Sequence, residues 1–186
     1  FLDAPFDAGQ WWTLPPGVRS FNAKEYEGFD ESARIVMDEL LACAGGANKN
    51  KQYDVVLGHS QGAILLSALM ASKTDAMSAA GISGYILNGA AWPNPYTTEL
   101  EKLAYKKNGT KALFVIGSQD KINPPDGARR VQKSLKAGGL VVETVDHDGG
   151  HSVPVHDEIA VDSMIRWILE TIASKQADVS GNTSRI

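Results

Sequence analysis

Short apolar runs alternate along the chain with longer stretches in which apolar residues recur at helical spacing. The runs are rich in Val, Ile and Leu and show no strict polar alternation, which is typical of strands buried on both faces of a parallel sheet. Five such runs are predicted as strands: Phe1–Asp3, Tyr53–Gly58, Gly84–Leu87, Ala112–Gly117 and Val141–Val145.

Helical stretches separate these strands. In Phe29–Ala44 the apolar positions recur every three or four residues, and Gly45-Gly46 then ends the helix. Further helices are predicted for Gln61–Ser72, for Pro124–Ala137 and for a last segment whose apolar stripe is Val161, Ile165, Ile168 and Ile172. Strand–helix alternation of this kind predicts an α/β fold with a mostly parallel central sheet and helices on both faces.

The chain length and composition point to one globular domain. It has 186 residues, of which 43% are hydrophobic and 22% charged, and these values are ordinary for a single domain with a buried core. No internal repeat or second composition regime is visible. We therefore predict one domain over residues 1–175, followed by a polar, frayed tail over residues 176–186.

Charge and cysteine content exclude several classes of function. The net charge of −4 gives no support to a nucleic-acid partner, and no apolar run approaches the length of a membrane span. The single cysteine, Cys43, excludes an internal disulfide framework and any multi-thiolate metal site, and it is predicted to be a small buried apolar residue. No dinucleotide or nucleoside-triphosphate loop is present, so we predict no cofactor and no metal. No secretory signal is visible, so we predict a cytoplasmic protein, with its oligomeric state unassigned.

The segment Gly58-His59-Ser60-Gln61-Gly62 is a G-x-S-x-G motif. A predicted buried strand precedes it and an apolar helix follows it, as in the nucleophile elbow of α/β-hydrolases, where a sharp turn lifts the serine hydroxyl above the sheet. The helix N-terminus then offers its dipole and free N–H groups to an oxygen that becomes negative during acyl transfer. The alternative interpretation is a glycine-rich turn with an inert serine.

A nucleophilic serine needs a histidine base and a carboxylate that orients it, and in α/β-hydrolases these follow in the chain order Ser, Asp or Glu, His. Asp120 comes directly after the strand Ala112–Gly117, and His151 comes shortly after the strand Val141–Val145. The carboxyl ends of parallel strands meet at one edge of the sheet. Ser60, Asp120 and His151 are therefore predicted to form the catalytic set.

Other residues compete for these roles. His147 is the alternative base, but a histidine directly after a strand is more often solvated, whereas the two glycines before His151 free its backbone. His59 is predicted to point away from the site and to pack, and His156 to begin the last helix. The fallback acids are Asp126, at a helix start, and Asp148, in a turn. Trp11 and Trp12 either line an acyl pocket or a lid, or pack within a surface loop.

Several of these motifs together resemble the FSH family of small intracellular serine hydrolases, which includes the ovarian-cancer-associated hydrolase. The resemblance covers most of the chain. It rests on Phe1-Leu2-Asp3-Ala4-Pro5, Tyr26-Glu27-Gly28 with Ser32, Tyr53-Asp54, the Gly58–Ala63 motif, Ile82-Ser83-Gly84-Tyr85, Asp120 with Pro124, and Gly149-Gly150-His151-Ser152-Val153-Pro154. His59 stands where the family usually has phenylalanine.

The resemblance implies an α/β-hydrolase fold with Ser60 as nucleophile, Asp120 as orienting acid, His151 as general base and the Gln61 N–H as one oxyanion donor. It also implies a small-molecule substrate that is a carboxylic ester or an acyl thioester, with neither nucleic acid nor membrane as a partner. The family's opening strand, whose following loop gives the second oxyanion donor, has no counterpart in the sequence, so we expect upstream residues in the native protein. The rival hypothesis is a non-catalytic hydrolase fold that binds a ligand or a partner protein.

Overall fold

Four parallel strands form the central sheet in a computed structural model, which describes residues 2–44, 53–104 and 109–183, with side chains up to residue 177 in the last helix. The strands are β1 (Val55–His59), β2 (Gly84–Asn88), β3 (Lys111–Gly117) and β4 (Val141–His147). Their spatial order follows their sequence order, and every neighbouring pair is parallel. The predicted α/β fold is confirmed.

Six α-helices accompany the strands in the described ranges. They are α1 (Phe29–Ala44), α2 (Gln61–Ser72), α3 (Thr74–Ala79), α4 (Thr97–Glu101), α5 (Pro125–Ala137) and α6 (Glu158–Thr183). The predicted bounds of α1 and α2 are confirmed, and α5 begins one residue later than predicted because Pro124 precedes its first turn. The short helices α3 and α4 were not predicted, since neither is long enough to show a helical period.

The alternation of side chains along each strand divides the core into two layers. Tyr85 and Leu87 of β2 face the larger layer together with residues of α1, α2 and α5, whereas Ile86 faces a smaller layer under α6. Strand β3 repeats the pattern, with Phe114 on one side and Val115 on the other. Because β2 and β3 are covered on both faces, their sequences are almost continuously apolar.

The prediction of a strand at the start of the chain is wrong, and the segment predicted to be frayed at the other end is helical. Leu2 and Asp3 lie outside any strand, while Phe1 lies outside the described residues. Among those residues β1 pairs with β2 only, so the segment has no neighbouring strand with which to form a ladder. The polar tail predicted from residue 176 onward is instead helical as far as residue 183, as a continuation of α6.

A groove of about 280 Å³ follows the outer edge of β1. Its lining is mostly apolar and comes from β1, α1 and α2, with Trp11 closing it near Gly58 and Gly62. Ser60, Asp120 and His151 do not line it. The groove therefore does not reach these three side chains.

Candidate active site

Ser60 occupies a strained turn between β1 and α2. Its backbone has φ +53° and ψ −119°, a conformation that costs a non-glycine residue of order 1–3 kcal/mol and is retained mainly at functional sites. The Ser60 N–H donates to the Asn88 carbonyl at 2.9 Å, and its carbonyl accepts from the Ile64 N–H at 3.1 Å. The turn is thus fixed to β2 on one side and to α2 on the other.

Gly58 permits this turn because a side chain there would collide with the first turn of α2. A Cβ atom on Gly58 would lie 2.7 Å from the backbone carbonyl of Gly62 and 2.8 Å from the nitrogen of Ala63. These are backbone atoms and cannot rotate away. The glycine before the serine in the G-x-S-x-G motif therefore has a steric reason in this fold.

The side chains of Ser60, His151 and Asp120 form a continuous hydrogen-bonded chain. His151 Nδ1 is 2.7 Å from Asp120 Oδ2, and His151 Nε2 is 2.7 Å from Ser60 Oγ. An ionised carboxylate only accepts hydrogen bonds, so in the neutral ring Nδ1 carries the proton and donates it to Asp120. Nε2 is then free to accept the proton of the Ser60 hydroxyl, which is the arrangement that acyl transfer requires.

Asp120 is held in this orientation by its own loop. Its side chain is only 2% exposed, and Oδ1 accepts hydrogen bonds from the backbone N–H groups of Ile122 at 2.9 Å and Asn123 at 2.8 Å. The Asn123 amide in turn donates to the Gly89 carbonyl at 2.7 Å. One carboxylate oxygen is therefore engaged by the backbone, and the other is left for His151.

Gln61 has two separate functions at the start of α2. As the first residue of the helix, its N–H has no intrahelical acceptor and is available beside Ser60. Its side-chain oxygen accepts the Trp11 N–H at 2.8 Å, and its amide donates to the Trp12 carbonyl at 3.4 Å. The loop that contains the two tryptophans is thus attached to the residue that follows the serine.

The two tryptophans differ in their surroundings. Trp12 is fully buried and stacks on Tyr26 with ring centroids 4.3 Å apart. Trp11 is half-buried and lies over Gly62, where a Cβ atom would be 3.4 Å from its indole nitrogen. Trp12 therefore packs within the loop, which is one of the alternatives predicted for this pair. Trp11 lies beside the first turn of α2.

Sequence reasoning was wrong about two histidines. His59 does not point away from the site: its ring centroid is 5.1 Å from that of His151, and it is exposed. His147 is not solvated, because β4 continues to it and leaves it only 6% exposed, with Nδ1 accepting the Gly149 N–H at 3.2 Å. His156 lies in an exposed turn just before α6.

The fallback acids remain outside the hydrogen-bonded chain. Asp126 lies in the first turn of α5, as predicted for a helix-start residue, and Asp148 lies in the turn after β4. The predicted burial of Cys43 is confirmed. Two asparagines support the site, Asn88 at the end of β2 and Asn123 in the loop between β3 and α5. Neither carries a motif that sequence analysis could have identified.

The described part of the chain offers neither a metal site nor a membrane span. No group of three or more His, Cys, Asp or Glu side chains there is arranged to hold a metal ion. None of the helices in those ranges is both long enough and apolar enough to cross a membrane.

Several solved structures share this arrangement of elements. A variant of SOBER1 from Arabidopsis thaliana aligns with a TM-score of 0.62 at 16% identity, over 87% of this chain and 74% of that one. A Bacillus cereus carboxylesterase aligns with a TM-score of 0.56 at 18% identity, over 86% and 72%. A protein of unknown function from Agrobacterium tumefaciens gives 0.59 at 23% identity, over 81% and 70%. At these identities the likeness shows the fold alone.

Sequence comparison identifies the family of the chain. No curated protein shows significant similarity to the chain. The profile of the serine hydrolase family FSH1 matches residues 6–162, which span the G-x-S-x-G motif, Asp120 and His151. The match covers well over half of the chain, and the chain therefore belongs to the FSH1 family of serine hydrolases.

Proposed function

We propose that this hydrolase cleaves carboxylic esters or acyl thioesters through an acyl-enzyme formed on Ser60. The observation that carries the proposal is the position of His151, whose ring bridges Asp120 and Ser60 at 2.7 Å on each side. A serine hydroxyl is a weak nucleophile until a positioned base removes its proton. The family and the fold support hydrolysis as the general reaction.

In the proposed mechanism Ser60 Oγ attacks the acyl carbonyl while His151 Nε2 takes its proton. The resulting imidazolium is stabilised by Asp120, which also keeps the ring in the required tautomer. His151 then gives the proton to the departing alkoxide or thiolate, and the acyl group remains on Ser60. A water molecule, deprotonated by the same base, releases the acid and restores the serine.

The Gln61 N–H is proposed as one donor to the oxyanion. Its place at the N-terminus of α2 supports this role, because the N–H has no partner in the helix and the helix dipole favours negative charge there. The loss of one oxyanion donor costs about 10²–10³ in rate in a studied protease. The Trp11–Trp12 loop, attached to the Gln61 side chain, is placed to limit movement of this residue.

The proposed substrate is a small molecule, and the proposed location remains cytoplasmic. Both oxygen esters and thioesters fit the chemistry, since each presents an acyl carbonyl to Ser60 and a leaving group to His151. A series of p-nitrophenyl esters and matching acyl thioesters of increasing chain length would separate the two. The ratio of kcat/KM values within each pair measures the preference at constant acyl group.

Fluorophosphonate labelling tests the proposal directly, because the reagent reacts with activated serines. We expect a single adduct by intact mass, located on the Ser60 peptide and absent from Ser60→Ala. Ser118→Ala is the matched control, since Ser118 is exposed at the same edge of the sheet, directly after β3. Ester hydrolysis that survives in Ser60→Ala, or labelling outside the Ser60 peptide, would contradict the proposal.

A further inference from the structure

A second histidine lies against the base of the candidate triad. The rings of His59 and His151 have centroids 5.1 Å apart and an interplanar angle of 42°. His59 is held by Asn88, whose side-chain amide donates to His59 Nδ1 at 2.6 Å. Asn88 is itself only 1% exposed, and its backbone carbonyl accepts the Ser60 N–H. One residue at the end of β2 therefore supports both the nucleophile and the neighbour of the base.

Two imidazoles at this distance cannot both be charged without cost. Like charges a few ångströms apart repel, so a proton on one ring opposes a proton on the other. Acyl transfer requires His151 to become an imidazolium. A positive charge on His59 at that moment would oppose the reaction, whereas a neutral His59 would not.

We propose that His59 is a positioning residue for His151 and that His59 stays neutral when His151 takes the proton of Ser60. This rests on the proposed function, because it assigns the neutral form of His59 a purpose in the acyl-transfer step. The Asp120 carboxylate bonds directly to His151 and stabilises the imidazolium that forms during acyl transfer. His59 then stays neutral beside the imidazolium, anchored through Nδ1 to Asn88.

The surroundings of His59 support a neutral ring at this position. Of the described residues, the titratable groups that act on it are His151, from the loop after β4, and Asp120, from the loop after β3. Partial desolvation by the surrounding protein and then the His151 imidazole lower the pKa of His59, while Asp120 and the Asn88 backbone act in the opposite direction. The net direction agrees with a ring that stays neutral after its neighbour is charged.

Proton NMR titration of the imidazole Cε1–H signals tests the coupling without any use of hydrolytic activity. The chain has four histidines, so single His→Asn variants assign them. In His151→Asn we expect the pKa of His59 to rise by about 0.5–2.5 units, the range for unit charges at this separation between bulk water and a protein surface. The matched control is His156→Asn, which removes an exposed histidine in the turn before α6. This control should leave the pKa of His59 unchanged.

The reverse substitution gives a second measurement, should His151→Asn fail to fold. In the parent chain the His151 signal should show a minor second inflection at low pH, when His59 becomes charged, and His59→Phe should remove it. The proposal is overturned if the pKa of His59 is the same in the parent and in His151→Asn. It is also overturned if the NMR titration curve of His151 is the same in the parent and in His59→Phe.

Kinetics provide the readout that a merely structural residue would not change. The active form needs both rings neutral. In the parent, the slope of log kcat/KM against pH should therefore increase on the acid side from about 1 toward about 2. In His59→Phe the slope should stay at about 1. Identical slopes on the acid side in the parent and in His59→Phe would contradict the coupling. A parent chain without esterase or thioesterase activity would end the proposed function, and the NMR titration would still decide whether the pair exists.

Discussion

Replacement of Asp120 by asparagine is the sharpest test of the proposed mechanism, because the loop around it dictates how the new amide must sit. Asp120 Oδ1 accepts two backbone N–H groups, from Ile122 and Asn123. An amide NH₂ group in that position would face two donors and leave both unpaired. The oxygen of the asparagine therefore stays with the backbone, and its NH₂ group points at His151 Nδ1.

This orientation reverses the tautomer of the base. With an NH₂ donor opposite it, His151 Nδ1 must accept, so the ring proton moves to Nε2, which then cannot accept the Ser60 proton. To restore the productive tautomer the amide would have to flip and lose two hydrogen bonds, at about 1–3 kcal/mol each for partly buried groups. Together with the lost stabilisation of the imidazolium, we expect kcat/KM to fall about 10³–10⁴-fold, or about 4–5.5 kcal/mol of transition-state stabilisation.

The assay is p-nitrophenyl ester hydrolysis near neutral pH, with the rate of fluorophosphonate labelling as a second measure of serine activation. Asp126→Asn is the matched control, since Asp126 lies in the first turn of α5 and outside the hydrogen-bonded chain. Both variants should keep the parent's circular dichroism spectrum. An Asp120→Asn chain with more than about a tenth of the parent kcat/KM would refute the tautomer argument, because that result would place the barrier elsewhere.

Two further predictions concern stability. Gly58→Ala puts a Cβ atom 2.7 Å from the backbone of Gly62 and should cost about 1–3 kcal/mol in urea unfolding. In Gly150→Ala the nearest atom is 3.7 Å away, so this control should lose far less, and equal losses would contradict the steric account. Burial raises the pKa of the Tyr26 phenol in the folded chain, so the unfolded state ionises first and the free energy of unfolding should decline from about pH 10 upward. Tyr26→Phe should weaken that decline without abolishing it, since burial also raises the pKa of Tyr96 to about 12. An alkaline decline in stability as steep in Tyr26→Phe as in the parent would contradict this assignment.

Local pattern was enough to predict the elements of the sheet and its main helices. The strand cores are apolar because β2 and β3 are covered on both faces, and that requirement appears directly in the sequence. Helix α1 ends where Gly45-Gly46 follows it, and α2 begins where the G-x-S-x-G turn ends. Ser60, Asp120 and His151 follow β1, β3 and β4, and their approach could be predicted because parallel strands bring their carboxyl ends to one edge.

The contacts that complete the site join residues distant in sequence, and only the tertiary structure decided them. Gln61 reaches a backbone N–H fifty positions earlier, at Trp11. His59 faces His151, and not the core, because Asn88 of the adjacent strand holds its ring at the edge of the sheet. Leu2 and Asp3 show the converse case: their apolar-polar pattern suits a strand, but a strand exists only where a neighbour supplies hydrogen bonds. Sequence periodicity records which face a residue presents, whereas the partner on that face is set by packing across the whole sheet.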